Sequence, residues 1–133
     1  GNKSNFIQFY ILRQGVALES ADVVMLDAVS KEITDLIKQG VELRSYTPSF
    51  VNTDIENIKI DLLGKATKNA YDRAEILAKN GHGKVGALGS ASQGVFQITP
   101  VNSTDVSDSG NYDTTTIEKS VKAIVTLEFQ VEK

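Results

Sequence analysis

Between Ile117 and Val131, apolar and polar residues alternate with the two-residue period of a β-strand. Ile117, Val121, Ala123, Val125, Leu127, Phe129 and Val131 fall on one side, and Glu118, Ser120, Lys122, Thr126, Glu128 and Gln130 on the other. Successive side chains of a strand point to opposite faces, so this segment reads as a strand with one buried and one mostly wet face. Lys119, on the apolar phase, and Ile124, on the polar one, are its two exceptions. A strand that is wet on one side belongs to an antiparallel sheet whose other side is covered by a second layer.

The remaining elements follow from periodicity and punctuation. From Asn5 to Leu18 the run containing Phe6, Ile7, Phe9, Tyr10, Ile11, Leu12, Val16 and Leu18 reads as a long strand, with Gly15 as a bulge position. Ser20 offers an N-cap oxygen to a helix whose Val23, Leu26, Val29, Ile33, Leu36 and Ile37 recur at helical spacing, and Gly40 is its stop. Val41 to Val51 alternates and carries Pro48, which cannot donate to a ladder, so it reads as an edge strand.

Thr53-Asp54-Ile55-Glu56 has capping-box spacing and opens a second, longer helix. Its stripe is Ile55, Ile58, Leu62, Leu63, Ala66, Ala70, Ala74, Leu77 and Ala78, and the repeated Ala allows close approach to a sheet or helix. Lys84 to Pro100 reads as a strand weakened by Gly86, Gly89 and Gly94, bending or bulging midway. Residues 99–116 are rich in Ser, Thr, Asn and Asp, hold no Lys or Arg, and read as a long polar connection or mobile tip. The expected architecture is α+β in the order β-α-β-α-β-β: a four-stranded, largely antiparallel sheet with both helices on one face.

A length of 133 residues, 41% of them hydrophobic, suits one domain that buries roughly two thirds of its unfolded surface. Zero Cys removes a disulfide scaffold, a Cys-ligated zinc site and a thiol nucleophile. A net charge of −3 argues against nucleic acid as a partner, since phosphate neutralisation needs clustered Lys and Arg. No stretch approaches the eighteen or so apolar residues of a membrane span. Gly1 reads as a cloning remnant and the chain as a fragment or mature piece.

Several motifs invite a chemical reading and fail it. Gly81-His82-Gly83-Lys84-Val85-Gly86 spells G-x-G-x-x-G, but a dinucleotide fingerprint needs a strand before it and a helix after it. Here a helix precedes and a strand follows, so the glycines read as a helix C-cap and turn. His82 is the one imidazole and has no Cys or second His to complete a zinc set. No Ser sits in a G-x-S-x-G elbow. Asp105, Asp108 and Asp113 lack the spacing of a calcium loop and read as solvated carboxylates. Lys59, Lys65, Lys68, Arg73, Lys79 and Lys84 read as the solvated face of the long helix. No catalytic, cofactor-binding or metal-binding residue is assigned.

The Ala66-x-x-x-Ala70-x-x-Arg73-Ala74-x-x-x-Ala78-x-x-Gly81 helix, the glycine-spaced strand, Val95-Phe96-Gln97-Ile98-Thr99-Pro100 and the closing strand together resemble the SIMPL domain family. The resemblance extends upstream through Leu36-Ile37-x-x-Gly40-Val41 and Tyr46 to Val51. Gly83-Lys84-Val85-Gly86 departs from it, because family members usually carry Leu before the glycine. The resemblance implies the C-terminal portion, as one domain over residues 1–133, of a bacterial periplasmic or outer-membrane-associated protein. It also implies a connection with oxidative-stress defence, self-association and peripheral association with the envelope, and it carries over no catalytic residues.

Two functions follow as expectations. The first is a non-enzymatic envelope module that forms a homo-oligomer or binds a protein partner, because long strands with few gatekeeping charges leave backbone groups open to strand addition. Its interaction candidates are Phe96, Ile98, Asp105, Asp108, Tyr112 and Asp113. The alternative is a small-ligand or metal-binding domain, with the Asp-bearing loop or the His82 turn as its site.

Overall fold

A computed structural model describes residue 6 and residues 9–133. They fall into two compact units, Gly1–Tyr46 and Thr47–Lys133. The first holds helix α1, Val23–Lys38. Its N-cap is Asp22, whose carboxylate accepts from the Met25 N–H at 2.9 Å, while Ser20 accepts one residue pair earlier, from the Asp22 N–H at 3.0 Å. Gly40, at φ 87°, ends the helix as anticipated. The Val41 and Gly40 N–H groups return to the Leu36 and Ile37 carbonyls at 3.0 and 3.1 Å, which is the Schellman closure.

The α+β class, the two helices and the antiparallel-dominated strands agree with the reading from sequence. The first two expected strands differ from it. Asn5 and Ile7 lie outside the described residues, and residues 9–20 and 41–51 form no helix and join no ladder. Alternation confers a preference for extended backbone, whereas a strand also needs a neighbour about 4.8 Å away to bond with. Within the first unit, Ile11–Gly15 and residues 42–44 with Tyr46 line one open cleft of about 890 Å³. Among the described residues the strands therefore all lie after residue 83, and they form two sheets in place of one.

In the second unit, helix α2 spans Ile55–Asn80. The expected capping box is absent. Asp54 is the N-cap residue, which puts Glu56 one position short of the place from which it could reach back, and Glu56 pairs with Lys59 at 2.8 Å. Asn52 instead organises the entry, accepting from the Asp54 N–H at 2.8 Å. Ala66, Ala70 and Ala74 are half-buried and Ala78 is buried, so the small-residue stripe is the side turned from solvent; Leu77, assigned to that stripe, is 72% exposed.

After α2 the chain forms an antiparallel ribbon with itself. Strand β1, Lys84–Gln93, pairs with β5, Val125–Glu132, and β2, Gln97–Pro100, pairs with β4, Lys119–Lys122. The short strand β3, Asn111–Tyr112, adds to β2 in parallel. Register slips fall between Val85 and Leu88 and between Leu88 and Ser90. A third separates Gln93↔Val125 from Gln97↔Lys122, where the first strand advances one residue more than the second. Gly86, Gly89 and Gly94 each sit in one of these slips, as expected of residues that let a strand bulge. The ribbon is continuous across the third, because the Gly94 N–H donates to the Ile124 carbonyl at 2.9 Å. Helix α2 packs on both β1 and β5, with Tyr71 edge-on to Phe129 at 5.5 Å and 80°.

The turn between α2 and β1 is a second Schellman closure. Gly83 and His82 donate to the Ala78 and Lys79 carbonyls at 2.8 and 3.1 Å, and His82 takes the left-handed position at φ 59°. A Cβ on Gly83 would lie 2.6 Å from Cγ1 of Val131 and 3.0 Å from the Glu132 carbonyl oxygen. Gly83→Ala is therefore expected to destabilise the fold by about 1–3 kcal/mol. His82→Gly, which relieves a left-handed side chain, is expected to stabilise it by about 1 kcal/mol. Urea unfolding of the two variants checks both signs.

Candidate functional site

The polar connection after β2 has an internal framework anchored on that strand. Ile98 faces one way from β2, and Gln97 and Thr99 the other; all three are buried. Gln97 meets the peptide group of Ser107 as a neighbouring strand would, donating from Nε2 to its carbonyl at 2.7 Å and accepting its N–H at 3.2 Å. The same Oε1 also accepts from Nδ2 of Asn111 at 2.9 Å. From the facing position on β4, Lys122 donates to the Ser103 carbonyl at 2.8 Å. The Thr99 hydroxyl, buried beside Gln97, has no hydrogen-bond partner among the described residues. Residues 101–110 thus form a clamped loop, where the composition suggested a loose tip.

Below this loop lies an open cleft of about 440 Å³ in which Phe96, Ile98 and Tyr112 come together. The Lys59 ammonium lies 5.7 Å from the centre of the Phe96 ring while its ion pair to Glu56 is kept. Gly110 reaches the lining at φ 86°, and a Cβ there would meet the Phe96 carbonyl oxygen at 3.0 Å. The cleft combines the rings of Phe96 and Tyr112 with the polar side chains of Gln93, Ser109 and Asn111 and one cation at its wall, a mixed lining that suits a flat side chain or a polypeptide segment carrying one.

The three carboxylate candidates do not join it. Asp105 closes a local turn with Ser103, and Asp108 is exposed. Asp113 stands behind the cleft, where its N–H donates to the Ile98 carbonyl at 2.9 Å. Among the described residues, no three His, Cys, Asp or Glu side chains are grouped so as to hold a metal ion.

Asp113 is instead the centre of a polar knot. Its carboxylate accepts from the Thr116 hydroxyl, from the N–H and hydroxyl of Thr115 at 2.9 and 2.7 Å, and from Lys119 at 3.4 Å. Lys119 also donates to the Thr116 carbonyl. The Asp113 and Lys119 side chains are 9% and 12% exposed, so the pair is largely out of water. These donors, the Thr116 hydroxyl first, hold the Asp113 carboxyl well below the usual carboxylate range.

Sequence reasoning missed Gln97 and Lys59. The signal for Gln97 was a long amide inside the apolar run Val95–Ile98, which must find partners if buried. Lys59 carried no such signal, since its approach to Phe96 joins two segments far apart in the chain.

Two outcomes are expected. Gln97→Leu leaves the Ser107 peptide and the Asn111 amide without their partner and lowers stability by about 2–3 kcal/mol, whereas Thr99→Val, which removes a hydroxyl that bonds to nothing here, is neutral or stabilising. Denaturant titration separates the two. A carboxyl whose folded value is depressed stabilises above its unfolded value of about 3.9, and that contribution is lost as pH falls. Asp113→Asn should therefore lower Tm at pH 7 and flatten the fall in Tm between about pH 4 and 2; an unchanged acid limb would remove Asp113 as its cause.

A family model, SIMPL, described as a protein of unknown function (DUF541), matches residues 1–129. The match agrees with the resemblance read from the Ala-rich helix and the strands that follow it. No curated protein and no solved structure matches the chain.

Proposed function

The chain belongs to the SIMPL family, and from that premise we propose that it is a non-enzymatic module of the bacterial cell envelope, periplasmic or outer-membrane-associated, that works by assembling with itself or with a protein partner. The connection with oxidative-stress defence implied by the resemblance is part of this reading. The observation that carries it is the pair of open sheet edges. The sheet of β1 and β5 has two strands, so each has one edge without a ladder among the described residues. A two-stranded sheet is marginal by itself, and strand addition is how such an edge is completed. The cleft at Phe96, Ile98 and Tyr112 supplies a second contact surface beside the ribbon. No helix among the described residues is long and apolar enough to cross a membrane, and peripheral association with the envelope is part of the proposal.

The same cleft favours one second reading, a small-ligand-binding domain, because it gathers three apolar side chains and a cation in about 440 Å³. Light scattering on a sizing column over a wide concentration range tests the first reading. Assembly that rises with concentration is expected, and a monomer throughout would contradict it. A thermal-shift screen against common anions, divalent cations and aromatic compounds tests the second, since a ligand that prefers the native state must raise its melting temperature.

A further inference from the structure

Of the two open edges, β5 is the one suited to pairing. The register slips at Gly86 and Gly89 put their extra residues on β1 and none on β5, Val125–Glu132, where only Gln130, opposite the first slip, has no single facing residue. Bulges blunt an edge, whereas an even strand offers an unbroken row of donors and acceptors. The phase of that row follows from the Gly94 N–H donating to the Ile124 carbonyl. Backbone groups alternate in direction along a strand, so those of Thr126, Glu128 and Gln130 face β1, and those of Val125, Leu127, Phe129 and Val131 face outward.

Building on the assembly reading, we infer that the outer edge of β5 pairs antiparallel with the same edge of a second copy of this chain, about a two-fold axis at Phe129. In that register Phe129 faces its own copy, Leu127 faces Val131, Glu128 faces Gln130 and Thr126 faces Glu132, so no carboxylate opposes another. Centring on Glu128 would set two Glu128 side chains against each other at a non-hydrogen-bonded pair, where side chains come closest. Centring on Gln130 would set Glu128 against Glu132. Centring on Leu127 avoids both clashes but confines pairing within β5 to Val125–Phe129, against Thr126–Glu132 for Phe129.

The layer above the sheet accommodates the same arrangement. Helix α2 lies over both β1 and β5. The two copies of α2 therefore fall about two strand spacings apart, roughly 9–10 Å, which is the normal distance between packed helices. Val131, 68% exposed, and the apolar groove of about 610 Å³ lined by Leu63, Tyr71, Leu127 and Phe129 then lie along the shared face of a four-stranded sheet. Such a sheet has the strand number and apolar face that a two-stranded ribbon lacks.

The test uses Gln130, which is exposed on the wet face of the ribbon. Gln130→Glu places a carboxylate against Glu128 of the second copy twice per dimer, and Gln130→Lys places an ammonium there twice. Sedimentation equilibrium at low salt is expected to show dimer dissociation about tenfold weaker for Gln130→Lys and about tenfold stronger for Gln130→Glu, with both shifts shrinking as salt is added. Thermal melts of each variant confirm that both remain folded. A chain that associates but responds alike to the two substitutions would overturn this edge and register and leave the assembly reading standing. A chain that is monomeric at every concentration would overturn both.

Discussion

The second unit depends on one antiparallel ribbon whose first half is longer than its second. Lys84–Pro100 must run alongside Lys119–Glu132 while spending three more residues, and it does so at Gly86, Gly89 and Gly94. The third slip turns the ribbon from the sheet under α2 into the sheet that carries the loop, with the Gly94 to Ile124 hydrogen bond holding the corner. A Cβ at Gly94 would lie 3.3 Å from Cβ of Ile124, so the two halves also approach closely at the corner. Below the corner, α2 and the ribbon enclose apolar contacts such as Tyr71 with Phe129; above it, the buried Ile98 and Phe50 are joined by a polar framework around Gln97.

That polar framework explains how a Ser- and Asp-rich connection with few apolar side chains of its own holds a definite shape. Gln97 and Lys122 face each other across β2 and β4 and satisfy loop carbonyls at Ser107 and Ser103. Behind them the Asp113 knot fixes residues 113–119, and Thr114 passes the link on by accepting the Phe50 N–H at 2.7 Å. Buried polar groups hold a unique arrangement only when their partners are present, because each one lost leaves another stranded. The cleft at Phe96, Ile98 and Tyr112 sits on this framework, which makes it a preformed surface.

Much of this was legible in the chain itself. The alternation of residues 117–131, the helical stripes and the glycine-spaced strand specify α1, α2 and the ribbon, because periodicity reports which face is buried. Even the two exceptions of phase acquire reasons. Ile124 falls at the corner between β4 and β5, and Lys119 turns to the apolar phase to meet Asp113. What was not legible depends on partners distant in sequence. Residues 9–18 and 41–51 have strand composition but meet no ladder, Thr53 and Glu56 have capping spacing but a helix that starts one residue later, and Gln97 sits among apolar neighbours in sequence while its partners lie ten and fourteen residues away. Of the interaction candidates, Phe96, Ile98 and Tyr112 converge because β2 and β3 are neighbours, whereas Asp105, Asp108 and Asp113 separate because each is engaged or exposed locally.

Amide hydrogen exchange, followed residue by residue, bears most directly on the claim that a polar clamp organises the upper half of the ribbon. The N–H groups of Ser107, Asp113 and Phe50 are held by Gln97, Ile98 and Thr114, and they should exchange slowly, together with the Gly94 N–H at the corner. Exchange of Ser107 and Asp113 at the rate of an unstructured peptide, with the Gly94 N–H still protected, would contradict the account.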